Sequence, residues 1–219
     1  MRDVTLTFDN GPEPDVTPGV LDVLAKTDVP ATFFVLGHKI ADPARRRLTE
    51  RAHDEGHWIG NHTYSHETPL GRLPGADVPE AEIGRTESLI GGLAHGDKFF
   101  RPFGGGGALG PHLLSRPVAD HLIAHRHTCV LWNVIPRDWA EPDAWVETAM
   151  ALMAPLDHAL IVVHDLPTGA MAHLERFIDA VRGAGGAFRQ DFPASCLPLT
   201  RGMVTGDLDA CVSDAAGAA

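Results

Sequence analysis

"VTLTFDNGPEPD" occupies residues 4–15, and its reading decides that of the whole chain. Val4, Leu6 and Phe8 alternate with Thr5 and Thr7, the period-2 pattern of a strand whose two faces meet different surroundings. The strand then runs into Asp9, Asn10, Gly11 and Pro12, residues that end strands and build turns. Taken alone, Asp9 reads equally well as a turn residue ahead of Gly11. Its company elsewhere in the chain has to decide.

The same unit recurs downstream. ATFFVL (31–36), HWIGNH (57–62), KFFRPF (98–103), HLIA (121–124), CVLWNV (129–134) and ALIVVHD (159–165) read as further strands. Helical spacing fills the gaps: residues 17–28 with Thr17 and Pro18 as a cap and first-turn pair, Asp42 to the stop at Gly56, 79–92, 141–153 and 170–183. About seven strands alternating with helices predict an α/β chain of repeated β-α units, closed as a TIM-like barrel. A dinucleotide-type open sheet fits less well, because no strand is followed by a glycine-rich phosphate turn, and FGGGG (103–107) lacks the helix and Lys or Ser/Thr of a phosphate loop.

The 219 residues suit one domain, expected over 1–200, with the weakly patterned 201–219 as a C-terminal tail. The net charge of -11 opposes phosphate backbones and anionic lipid, and Arg45, Arg46 and Arg47, the one basic run, read as a solvated helix face. Nucleic-acid and membrane partners are therefore not expected, and no protein partner is evident. No apolar run approaches a membrane span. Cys129, Cys196 and Cys211 are too few and too scattered for a disulfide framework and read as buried free thiols. No secretory leader pattern precedes the first strand, which points to the cytoplasm.

In β/α barrels the working groups stand where strands end. Here Asp9 and Asn10 end the first strand, His62 and His66 follow the third, and Arg101 follows Phe99 and Phe100. Asp138 comes after the 129–134 run, and His164 and Asp165 end the last strand. The H-x-x-x-H spacing, which places two imidazoles on one side of a helical turn, suits a metal. It occurs at His53/His57, His62/His66 and His121/His125 in a chain with 13 histidines, so spacing alone does not choose among them. Only the combination is specific.

That combination resembles the polysaccharide deacetylases with a NodB-homology domain, carbohydrate esterase family four, over roughly residues 3–190. TFDNGP (7–12) is similar to the family's T-F-D-D-G-P, NHTYSH (61–66) to its H-[ST]-x-x-[SH]-H region, and RPFGG (101–105) to R-x-P-[YG]-G. RDWAEP (137–142) carries the D-W of the fourth motif, and LIVVHD (160–165) resembles L-x-L-x-H-D. The resemblance implies a distorted (β/α)7-type barrel and metal-dependent removal of acetyl groups from N-acetylated, sometimes O-acetylated, sugars. By position, His62, His66 and Asn10 hold a divalent metal, most often zinc, Asp9 is the general base and Arg101 its tether. His164 is the general acid, oriented by Asp138. Trp139 and Val162 line the acetyl pocket, and the Gly104 N–H binds the oxyanion.

The chain departs from the pattern inside the opening stretch: Asn10 stands where the family has a second aspartate. An amide oxygen coordinates without charge. At about 4 Å and an effective dielectric of ~20, a carboxylate gains roughly 8 kcal/mol facing a divalent ion before desolvation. Losing a quarter of that weakens binding roughly thirtyfold. Phe103 and Ile135 are milder departures. The expected activity is deacetylation of an N-acetylated amino sugar or oligosaccharide. The alternatives are a metal-weak or metal-independent amidohydrolase on a small non-sugar amide, and a non-catalytic carbohydrate-binding relative.

Overall fold

The computed structural model describes residues 2–213. The chain runs β1 (Asp3–Asp9), α1 (Thr17–Thr27), β2 (Thr32–Val35), α2 (Gly37–Ile40), α3 (Pro43–Asp54), β3 (Trp58–Asn61), α4 (Arg85–Ile90), β4 (Phe99–Phe100) and β5 (Leu114–Ser115). It continues through α5 (Arg116–Ala124), β6 (Thr128–Cys129), α6 (Trp145–Met153), β7 (His158–His164), α7 (Leu174–Gly183), β8 (Ala187–Arg189), β9 (Leu199–Thr200), β10 (Met203–Val204) and β11 (Val212–Ser213). No described helix is long and apolar enough to cross a membrane.

Strands β7, β1, β2, β3, β4 and β6 lie side by side, each pair parallel. The run 129–134, which reads as one strand, is shared between two neighbours. Its start pairs with β4, whereas Val134 bridges Ile161 of β7 and the Asn133 and Val134 amides donate to the Leu160 carbonyl at 3.3 and 3.1 Å. Between them the Leu131 amide donates instead to Cys196 at 2.8 Å. This split carries the last strand of the row back to the first and curls the sheet into the expected distorted (β/α)7-type barrel.

Period-2 alternation sorts the two faces. Val4, Leu6 and Phe8 of β1 join Ala159, Ile161 and Val163 of β7 in a buried cluster with Leu21, Leu24, Trp145 and Phe177 from the surrounding helices. Thr5, Thr7 and Asp9 take the other face. In the parallel register Thr5 pairs with Leu160, Thr7 with Val162 and Asp9 with His164, so the last pair is delivered to the inner face at one height. The inward hydroxyls of β1 are satisfied: Thr5 donates to the Asp191 carbonyl at 2.5 Å and Thr7 to the Ile161 carbonyl at 2.7 Å.

Two expectations are revised. HLIA (121–124) belongs to helix α5, not to a strand. Pro117 pre-sets the first turn, and Val118, Ala119 and Leu122 form one buried face, a helical period that a four-residue window hides. The weakly patterned segment from 201 packs on the domain as far as Ser213: β10 pairs with β9, β11 with β5, and Leu208, Cys211 and Val212 are buried. The remaining stretch, 214–219, lies outside the described residues. All three cysteines are free and buried, as their spacing implied.

Candidate active site

The floor of the site is a buried ion pair. Asp9 ends β1, and the Arg101 guanidinium, fully buried just after β4, donates to its Oδ1 at 2.7 Å and to Thr7 Oγ1 at 2.7 Å. Further donation to the Val130 and Leu131 carbonyls, at 3.1 and 3.3 Å, fixes the plane of the guanidinium. Its carbon lies 4.0 Å over the Phe34 ring. Burial pulls the Arg101 pKa down, and Asp9 opposes that pull. Space for the Phe34 ring exists because Gly60, its register partner on β3, has no side chain; a Cβ there would sit 2.6 Å from the ring.

His62 and His66 come from a loop, not from the helical turn that their spacing suggests. Thr63 and His66 adopt φ values of 72° and 56°, in the left-handed region that a β-branched threonine rarely enters. The loop is held open by acceptors aimed at its amides: Asn61 Oδ1 accepts from Thr63, and Glu82 Oε2 accepts from Tyr64 and Ser65 at 3.0 and 2.9 Å. The two imidazole centroids end 4.9 Å apart, with His66 also 3.9 Å from the Phe103 ring. His62 Nδ1 is paired with the Arg101 carbonyl at 2.8 Å, which leaves Nε2 facing Asp9 Oδ2 at 3.5 Å. Burial lowers the pKa of both rings, His66 to about 2 with help from His62 and His164, so both are neutral imidazoles at pH 7.

Across the cavity stands His164. Asp138, wholly buried, accepts the His164 backbone N–H at 2.8 Å through Oδ2 and pairs with ring Nδ1 at 2.9 Å through Oδ1. Trp139 packs edge-on against the imidazole at 4.9 Å between centroids. Burial works against the charged ring, but the Asp138 hydrogen bond and charge, supported by Asp9 and Asp165, outweigh it and raise the pKa. One end of the site thus favours neutral imidazole and the other imidazolium.

Asn10 lies between them with φ 72°, a conformation that asparagine and aspartate tolerate better than other side chains. Its Oδ1 is buried and has no hydrogen-bond partner. The turn that carries it is braced from behind: Lys39 donates to the Asn10 carbonyl at 2.6 Å, and Lys39 and Arg45 both pair with Glu13. Arg45 also reaches the Pro12 carbonyl, so this part of the basic run is partly buried bracing and not a solvated face.

A cavity of about 270 Å³ joins these groups, lined by Asp9, Asn10, His62, His66, Val162 and His164 together with Trp139 and the 103–107 loop. That loop needs glycine. Gly105, Gly106 and Gly107 have positive φ, and a Cβ on Gly104 would sit 2.7 Å from the Trp132 ring, whose Nε1–H donates to the Gly107 carbonyl. Among the described residues no three His, Cys, Asp or Glu side chains form a metal-ligand group. The donor set here is instead two neutral imidazoles and the orphaned amide oxygen of Asn10, which is chemically suited to a divalent transition metal. His62 is already oriented by its second ring nitrogen, as metal-binding histidines are.

The polysaccharide deacetylase family model matches residues 1–107. A chitooligosaccharide deacetylase from Rhizobium leguminosarum bv. trifolii is 36% identical over 168 residues, spanning 75% of this chain and 72% of that protein. The chain belongs to the polysaccharide deacetylase family. Among solved structures, a peptidoglycan N-acetylglucosamine deacetylase superposes with a TM-score of 0.71 at 30% identity, covering 85% of each chain. A family 4 acetyl xylan esterase from Clostridium thermocellum, solved with a cobalt ion, gives 0.68 at 28% identity and covers 86% of this chain and 87% of its own.

Within this polysaccharide deacetylase fold, Asp9, Asn10, His62, His66, Gly104, Trp139, Val162 and His164 line one cavity, and Arg101 and Asp138 stand directly behind it. The other two histidine pairs lie elsewhere: His121 and His125 stack at 4.2 Å at the end of α5, and His53 and His57 flank the end of α3. Sequence reasoning missed Glu82, Lys39 and Trp132. Glu82 and Lys39 act on backbone atoms of distant loops, so no local pattern marks them. The tryptophan was visible as an aromatic in 129–134, but its side chain turns into the cavity because that run changes partners there.

Proposed function

We propose that this polysaccharide deacetylase homologue hydrolyses the N-linked acetyl group of an N-acetylated amino sugar or short oligosaccharide. The observation that carries the reading is the pair of tethered groups, Asp9 on Arg101 and His164 on Asp138, facing each other across one cavity beside two neutral imidazoles. The activities named for the relatives support the substrate class.

An amide carbonyl resists water, so hydrolysis needs an activated nucleophile, positive potential where oxyanion charge develops and a proton for the leaving amine. Asp9, oriented by Arg101, accepts the proton of the attacking water. The Gly104 N–H faces the developing oxyanion, and Trp139 and Val162 hold the acetyl methyl. His164, kept protonated by Asp138, delivers its Nε2 proton to the departing nitrogen. His62, His66 and Asn10 would hold a divalent metal, zinc or cobalt being suitable, which when bound acts as a Lewis acid and makes water more acidic.

The test is acetate release from chitooligosaccharides by the purified chain, with bound metal measured, in the presence and absence of chelator and added zinc or cobalt. Chelator-sensitive release is the expected result. Undiminished turnover after chelation, or sugar binding with no release, overturns the metal-assisted mechanism or the catalytic reading respectively.

A further inference from the structure

Asp165 follows His164 on the chain and is fully buried, yet among the described residues it forms no ion pair. Its Oδ1 has no hydrogen-bond partner, and burial pushes the acid up to about 7, against the hydrogen bond from Thr17. A buried carboxyl so poorly compensated is unfavourable for folding, and a residue of that kind beside a reactive group calls for a role.

Its contacts run to one place, the turn that carries Asp9 and Asn10. The Thr17 hydroxyl donates to Asp165 Oδ2 and accepts the Glu13 amide at 2.7 Å. The carboxylate also fills the space beside Gly11, where a Cβ would lie 2.2 Å from either oxygen. Gly11 in turn accepts the Leu36 amide at 3.2 Å. The end of β7 is thereby fastened to residues 11–17, with His164 immediately on one side of the fastening and Asn10 on the other.

We infer that Asp165 and Thr17 are positioning residues, a hydrogen-bonded latch that holds the 10–13 turn against the end of β7 and so fixes Asp9 and Asn10 relative to His164. The inference rests on the proposed deacetylase reading for its catalytic consequence, but not for its structural one. It separates this acid from Asp138: Asp138 orients the imidazole of His164, whereas Asp165 sets where the opposite wall stands.

The experiment compares Thr17→Val, Thr17→Ser and Asp165→Leu, which removes the acceptor, in the full chain, with turnover and amide hydrogen exchange measured on each. Misplacing the turn by a fraction of an ångström lowers kcat about ten- to a hundredfold in Thr17→Val and Asp165→Leu with KM little changed, and Thr17→Ser, which keeps the hydroxyl, restores it. The Leu36 amide, which hydrogen-bonds to the Gly11 carbonyl and not to either substituted side chain, exchanges faster in the valine variant and at the native rate in the serine one. Thr17→Val decides should Asp165→Leu not fold. Native turnover and native Leu36 exchange in Thr17→Val overturn the latch, as does equal damage in the valine and serine variants. A native chain that releases no acetate overturns the deacetylase reading, and Leu36 exchange then still decides the latch.

Discussion

The two walls of the cavity are built to different standards of completeness. On the acid wall, His164 has both its ring and its backbone amide held by one buried carboxylate, and both members of that pair stand as in the motifs they resemble. On the opposite wall, Asp9 is held as firmly by Arg101, but beside it an uncharged amide stands where the family has an acid. Firm positioning and full charge are thus separable: the second wall retains the geometry and gives up one negative charge.

The sharpest way to break this comparison is to remove the reacting group from each wall. Asp9→Asn and His164→Gln are each expected to lower kcat about 10²- to 10⁴-fold in acetate release, the range typical of a lost general base or acid. A variant that loses activity only on the acid wall would show that the substituted wall no longer works. Next in size is Arg101→Met, which leaves the Asp9 carboxylate buried without its partner. Breaking such a pair from one side costs about 3–5 kcal/mol, to be read from the midpoint of denaturant unfolding. Stability within about 1 kcal/mol of native would mean that the pair contributes less than its burial suggests.

How far each wall was legible in the sequence follows from the same physics. Strand alternation in residues 4–8 and the polar residues at successive strand ends were enough to bring Asp9 and His164 to one face, because a parallel register needs only period 2. The buried tethers Arg101 and Asp138 were legible because they lie within ordered motifs. Two kinds of feature were not. The 129–134 run changes partners midway, and nothing in Val130 or Leu131 announces it, since both are plain apolar strand residues and the switch depends on the Cys196 carbonyl, distant in sequence. The left-handed loop that brings His66 to His62 is imposed by Glu82, a residue whose local surroundings read only as a helix surface. In both cases the deciding partner lies far away along the chain.

A smaller effect sharpens the charge difference between the walls. Asn10→Asp restores a carboxylate at a backbone conformation that aspartate also tolerates, so it should raise metal affinity without disturbing the turn. The expected gain is roughly thirtyfold, measured by competition with a chelator of known affinity. Unchanged affinity would place the metal away from Asn10 and detach this wall from the proposed donor set.

The smallest effect concerns the acid wall and is read along the pH axis. The pKa of His164 is raised in the folded chain, so its imidazolium persists above the ordinary histidine value of about 6.5. The stability that comes from this protonation is fully present below that value and is lost as pH rises through the raised folded pKa. Turnover that needs the same proton falls on the same alkaline limb. Asp138→Asn removes the charge that helps outweigh burial, so the balance shifts toward desolvation and the limb in kcat/KM moves to lower pH. The acidic limb should move less, because Asp138 hydrogen-bonds to His164 and the other wall feels the change only through the His164 charge. A profile in which both limbs move together would mean that the walls titrate as one coupled unit, and the separation drawn between them would then fail.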